Sequence, residues 1–132
     1  MNQHLKIGSA GEVQFTVERE QSIELSDTHF PAVLSTPSLI WFLEQAAREV
    51  VSTVLESNQT SVGTHVDIQH LAPTPLGHLV TCRARVIQCE WPVITFQVEA
   101  RDEHEVIARG LHQRRVVKCD RFAQRVVAKT KS

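Results

Sequence analysis

An acid, an imidazole and a hydroxyl stand out first in these 132 residues. At about 100° per residue along a helix, Glu44 falls between Val51 and Leu55, on the flank of an apolar sector, whereas Gln45, Arg48 and Glu49 fall on the polar side. An unpaired carboxylate is expensive to bury, so Glu44 either reaches water from the edge of that sector or has a partner. The wheel leaves both readings open. His70 poses the same question on a strand, because it is in phase with Val66 and Ile68 while His65, Asp67 and Gln69 point to the other face. A lone inward histidine is most often a hydrogen-bonded core residue; one packed opposite an inward acid has the makings of a general base with its orienter. Thr36 supplies a hydroxyl. Standing directly before Pro37, it is also a natural helix N-cap, a role that accounts for it without any chemistry.

Two further residues suit ligand contact. Gly63 opens the strand that ends in His70, where a glycine lets a backbone N–H approach a ligand or simply eases entry into the strand. Arg114 shares a face with Val106, Ala108, Gly110 and His112, but the opposite face holds Arg109 and Arg115 beside Ile107 and Leu111. An exposed strand arginine and an anion-recognising guanidinium both fit that pattern. His4, His29, His78 and His104 form no HxxxH or HExxH pair, which argues against a metal site.

The elements that must carry these residues follow from periodicity. Val13, Phe15 and Val17 alternate with polar residues as a half-buried first strand does. From Pro37 to about residue 55, Leu39, Leu43, Ala46, Val50 and Val54 recur at three- and four-residue spacing, predicting one long helix capped at Thr36. Four alternating segments follow, at 62–71, 78–88, 92–100 and 106–118, with short turns such as Ala72-Pro73-Thr74-Pro75-Leu76-Gly77 between them. One apolar-faced helix between a first strand and a four-strand run predicts an α+β domain in which an antiparallel five-stranded sheet wraps the helix, the hot-dog arrangement. The length fits one domain over residues 1–132, with a basic tail at about 120–132 carrying Arg121, Arg125, Lys129 and Lys131 around Phe122 and Val126, which reads first as a solvated end and second as a contact to the phosphates of a nucleotide carrier.

Bulk composition narrows the classes. With 14 Lys and Arg against 15 Asp and Glu the net charge is -1, which gives no footprint for nucleic acid or an anionic membrane. The start lacks the pattern of a secretory signal and no apolar run spans a bilayer, so a cytoplasmic location is expected. Cys82, Cys89 and Cys119 are odd in number and widely spaced, which predicts free thiols, and the Asn58-Gln59-Thr60 acceptor triplet has no chemistry without secretion.

Taken in register, Thr36-Pro37-Ser38-Leu39-Ile40-Trp41-Phe42-Leu43-Glu44, Val62-Gly63-Thr64-His65-Val66-Asp67-Ile68-Gln69-His70 with its Ala-Pro-Thr-Pro-Leu-Gly turn, and Gly110-Leu111-His112-Gln113-Arg114 resemble the fluoroacetyl-CoA thioesterase family. The likeness runs from about Phe15 to about Phe122. It implies a homodimer or dimer of dimers acting on an acyl-CoA without any cofactor, with Thr36, Glu44 and His70 catalytic. Phe30, Gly63, Thr64 and Arg114 are the implied substrate contacts, Gly63 near the thioester and Arg114 near the acyl group. Of the two lid phenylalanines in the fluoroacetyl-specific member, Phe30 matches one; Asp27 stands in place of the other, and Pro37 replaces a glycine. Hydrolysis of a generic short or medium acyl-CoA is therefore the expectation. The alternative is a non-catalytic acyl-CoA or acyl-carrier binding module, which would not need Glu44 and His70 together on inner faces. An Asp/His pair of the hydratase kind is not found.

Eight helical residues put Thr36 and Glu44 about 12 Å apart along the axis, too far to touch one reacting group. Either the chain bends at Thr36-Pro37, or Thr36 of one subunit meets Glu44 and His70 of its partner across a twofold axis.

Overall fold

The structure, a computed structural model, describes residues 5–24 and 30–131. Strand β1 (Ala10–Thr16) leads through a 3-10 turn at Arg19–Gln21 to two short strands, β2 (Ser22–Ile23) and β3 (Val33–Leu34), which pair with each other. Helix α1 (Thr36–Ser52) follows, then β4 (Gln59–His70), β5 (Leu79–Glu90), β6 (Val93–Arg101), β7 (Val106–Lys118) and helix α2 (Cys119–Ala128). The five long strands form one antiparallel sheet in the order β1-β5-β6-β7-β4. The sheet curls around α1, as the strand and helix periodicities predict.

The core is the meeting of the two periods. Leu39, Leu43, Ala46, Ala47, Val50 and Val51 line the buried face of α1. Against them lie Val80, Cys82, Ala84 and Val86 of β5 and Ile94, Phe96, Val98 and Ala100 of β6, every second residue of each strand. Alternation decides which half of each strand leaves water, and removal of that apolar area is the main force holding sheet to helix. The helix comes so close to β1 that a Cβ on Gly11 would sit 2.9 Å from the Val50 side chain and 3.2 Å from the Ala46 carbonyl. Glycine at position 11 is what permits that approach.

The β4 edge of the sheet differs from its centre. In β4, residues 63–67 are all exposed, and Val66 and Ile68 cover α1 only partly. Past β7, the tail read as a solvated basic end is helical over α2, although none of its residues is buried. Its start is tied to the beginning of β4: Cys119 N–H donates to the Asn58 carbonyl at 2.9 Å and the Asn58 amide donates to Asp120 at 3.1 Å. Phe122 and Val126, four residues apart on one side of it, remain exposed. No helix of the described residues is long and apolar enough to cross a membrane.

Candidate active site

The first turn of α1 corrects the expected cap. Ser35, extended at φ -78° and ψ 151°, is the N-cap and its hydroxyl accepts from Ser38 N–H at 3.3 Å. Thr36 is already helical, with Pro37 behind it filling a first-turn position whose missing N–H costs nothing. Relieved of capping, Thr36 turns its hydroxyl outward, and Oγ1 lies 2.8 Å from His70 Nδ1. The strand comes to the helix start within one chain; no bend of α1 is needed, and Thr36 does not depend on a second subunit to meet His70.

His70 is half-buried at the end of β4. Burial pushes its imidazole below the usual histidine range, with the Ala72 backbone acting in the opposite direction. A neutral ring whose Nδ1 accepts from the threonine hydroxyl is the state a general base requires. In that tautomer Nε2 bears the proton, and this buried nitrogen has no hydrogen-bond partner among the described residues. Thr36 and His70 line a hollow of about 370 Å³ with Ile23, Val33, Leu71 and Pro73. Ile23, Val33 and Pro73 continue into an apolar hollow of about 390 Å³ walled by Phe30, Pro31 and Pro75. Phe30 therefore borders the extension of this hollow, while Asp27 lies outside the described residues.

Glu44 belongs to a second cluster. Its carboxylate makes no hydrogen bond or ion pair to Thr36 or His70; Oε2 lies 3.8 Å from His112 Nε2 and 3.8 Å from Arg114 Nη1. Ile40, Leu43, Val66, Ile68 and His112 wall the narrow cleft beside it. The side chain retains 29 % of its surface in solvent, so both readings of the helical wheel hold in part: Glu44 has partners and still reaches water. A Cβ at position 63 would collide with Glu44 Oε2, so glycine there makes room for the acid. Thr64 is exposed at a bulge in the pairing of β4 with β7, where the register slips between Gly63 and His65, and its hydroxyl donates to the Gln113 carbonyl at 3.3 Å.

Arg114 is not an exposed strand arginine. It is 6 % exposed, and Nε and Nη2 donate to the hydroxyl and carbonyl of Ser61, both at 2.9 Å. Burial draws the guanidinium below its ordinary range, opposed by Glu44. Ser61 and His112 escaped the sequence reading as parts of the site. Ser61 stands only two residues before Gly63, and His112 shares the Arg114 face, which was the available signal.

The sequence model of the fluoroacetyl-CoA-specific thioesterase family matches residues 13–120. A fluoroacetyl-CoA thioesterase of Streptantibioticus cattleyicolor is 32 % identical over 101 residues, covering 76 % of this chain and 73 % of that protein. The chain belongs to the fluoroacetyl-CoA-specific thioesterase family. Solved structures agree on the fold of this family of thioester hydrolases. A structure of the fluoroacetyl-CoA thioesterase FlK superposes with a TM-score of 0.88 at 26 % identity, covering 97 % of this chain and 99 % of that one. A hot-dog-like protein from Thermanaerovibrio acidaminovorans superposes with a TM-score of 0.87 at 25 % identity, covering 96 % and 93 %. The fold is the hot-dog fold.

Proposed function

We propose that this thioester hydrolase cleaves a short or medium acyl-CoA to the free acid and CoA, working as a cytoplasmic homodimer with no cofactor beyond the CoA of its substrate. The observation that carries the reading is the 2.8 Å contact between Thr36 Oγ1 and His70 Nδ1 at the mouth of an apolar hollow. His70 takes the proton either from Thr36 as it attacks the thioester carbonyl or from a water that Thr36 positions. The sulfur leaves as the CoA thiol and water supplies the oxygen of the acid. The second cluster, Glu44, Gly63 and Arg114, supplies the electrostatic wall of the site from the partner subunit of the dimer, a carboxylate and a cation beside a backbone without side-chain cover. Family membership favours acyl-CoA as the carrier, and apolar Ile23, Phe30, Val33 and Pro75 favour a hydrocarbon acyl group. The open β4 edge supports dimerisation, and three free cysteines suit a reducing compartment.

The test is free-thiol release from a panel of acyl-CoAs of increasing chain length. Wild-type turnover is expected to peak at short or medium chains, and Thr36→Ala, His70→Ala and Glu44→Ala are each expected to lower kcat by about a hundredfold, the range for a lost acid–base group. Unchanged rates in Thr36→Ala and His70→Ala would remove the catalytic assignment.

A further inference from the structure

His112 is 1 % exposed on the inner face of β7, and no role given above uses it. Its ring nitrogens have different partners. Nδ1 lies 2.9 Å from the His65 carbonyl oxygen, which only accepts, so Nδ1 bears the proton. Nε2 lies 3.3 Å from Arg114 Nη1, which only donates, so Nε2 offers its lone pair. The two contacts fix a neutral ring in one tautomer. Burial acts in the same sense, pushing His112 below the usual range against the opposing pull of the His65 carbonyl and Glu44.

The consequence falls on Glu44. Arg114 commits Nε and Nη2 to Ser61, which leaves Nη1 as its nitrogen nearest the acid. At 3.8 Å, the Nη1 to Glu44 Oε2 contact is too long for a hydrogen bond. His112 Nε2, closer at 3.3 Å, accepts one of the two N–H groups of Nη1 and so ties that nitrogen to the ring rather than to the carboxylate. The charged and titratable groups around this trio are Glu44 and Arg48 from α1, His65 from β4 and Arg114 on the same strand as His112. Phe96 of β6 closes the remaining side, its ring centre 6.4 Å from that of His112.

We propose that His112 is a positioning residue: by accepting from Arg114 Nη1, it keeps the guanidinium from closing on Glu44 and leaves the carboxylate open toward Gly63 and the substrate. The role rests on the thioesterase reading, but its geometry can be tested apart from turnover. His112→Asn retains an amide N–H near Nδ1 for the His65 carbonyl and removes the acceptor at Nε2; His112→Gln places an amide oxygen near Nε2. In a crystal structure of His112→Asn, Arg114 Nη1 is expected to close on Glu44 to about 3 Å, a full charge-assisted hydrogen bond. In kinetics, His112→Asn is expected to keep its melting temperature and KM while kcat falls about tenfold or more, the effect of a misplaced catalytic group, and His112→Gln is expected to recover most of kcat. A merely structural histidine predicts a different ranking, with loss of melting temperature tracking loss of activity in both variants. An unchanged Arg114–Glu44 separation, or wild-type kcat in His112→Asn, overturns the proposal. If the wild-type protein releases thiol from none of the acyl-CoAs while the variant crystal shows closure, the reaction reading fails and the positioning geometry stands.

Discussion

Each functional side chain is set apart from its neighbours by one local device. Thr36 is freed by Ser35, which takes the cap; Glu44 is admitted by the absent side chain of Gly63; His112 and Arg114 are held by partners that leave one nitrogen each for the site. His70 and His112 share a further property, since burial lowers both below the ordinary histidine range. The unfolded chain therefore binds more protons than the folded one below about pH 6.5, the unperturbed value, and stability must rise with pH through that window. The melting temperature is expected to be flat above about pH 7 and to fall as acidification carries the protein through the folded-state values. The acid limb of kcat/KM, which reports the free-enzyme base, is expected below about pH 6.5 for the same reason. Melting and initial-rate series at constant ionic strength check both. A limb at or above the ordinary value would mean that His70 is hydrated like a surface residue and that its burial has been misjudged.

At the scale of elements, periodicity made the sheet and α1 legible, because burial on one face is what writes a period into a sequence. It could not say where along two packed elements their inward residues meet. Glu44 follows Thr36 by eight residues and Gly63 precedes His70 by seven, so contacts Thr36–His70 and Glu44–Gly63 require helix and strand to run in opposite directions. The inner-face assignments of Glu44 and His70 were sound, yet the two lie at opposite ends of that antiparallel contact. The cap was misread because serine and threonine before proline are chemically equivalent candidates, and only the backbone angles of Ser35 separate them. Helix α2 was missed because it buries nothing, and a helix without a buried face leaves only a faint apolar signature in Phe122 and Val126. The stretch ahead of α1 offers a prediction at this scale. Phe30 is 69 % exposed and borders the apolar hollow, so it contributes little to the core. Phe30→Ala is expected to change stability by no more than about 0.5 kcal/mol while shifting the acyl-chain preference across the CoA panel. A large drop in melting temperature with an unchanged preference would show that Phe30 is a packing residue.

For the whole molecule, the open question is how two clusters on one protomer serve one reaction, and the exposed β4 edge supplies an answer. If two β4 strands pair antiparallel about a twofold axis between Val66 and Asp67, His70 of one chain falls opposite the partner's Gly63. Thr36 and His70 of one subunit would then lie beside Glu44 of the other, and Nε2 of His70, without a hydrogen-bond partner among the described residues, would face that interface. Such pairing also removes an edge that invites aggregation. Mixed dimers distinguish this arrangement from a site built within one chain. Thr36→Ala mixed with Glu44→Ala gives heterodimers in which one of the two sites is wild type, so about a quarter of wild-type activity is expected to return after subunit exchange in equal mixture. Thr36→Ala mixed with His70→Ala is expected to recover nothing, because Thr36 and His70 must come from the same chain. Recovery in the second mixture and not in the first would reverse the assignment of residues to subunits. No recovery in either, with exchange verified, would place the whole site in one protomer, and full activity of a sedimenting monomer at nanomolar concentration would remove the dimer from the mechanism altogether.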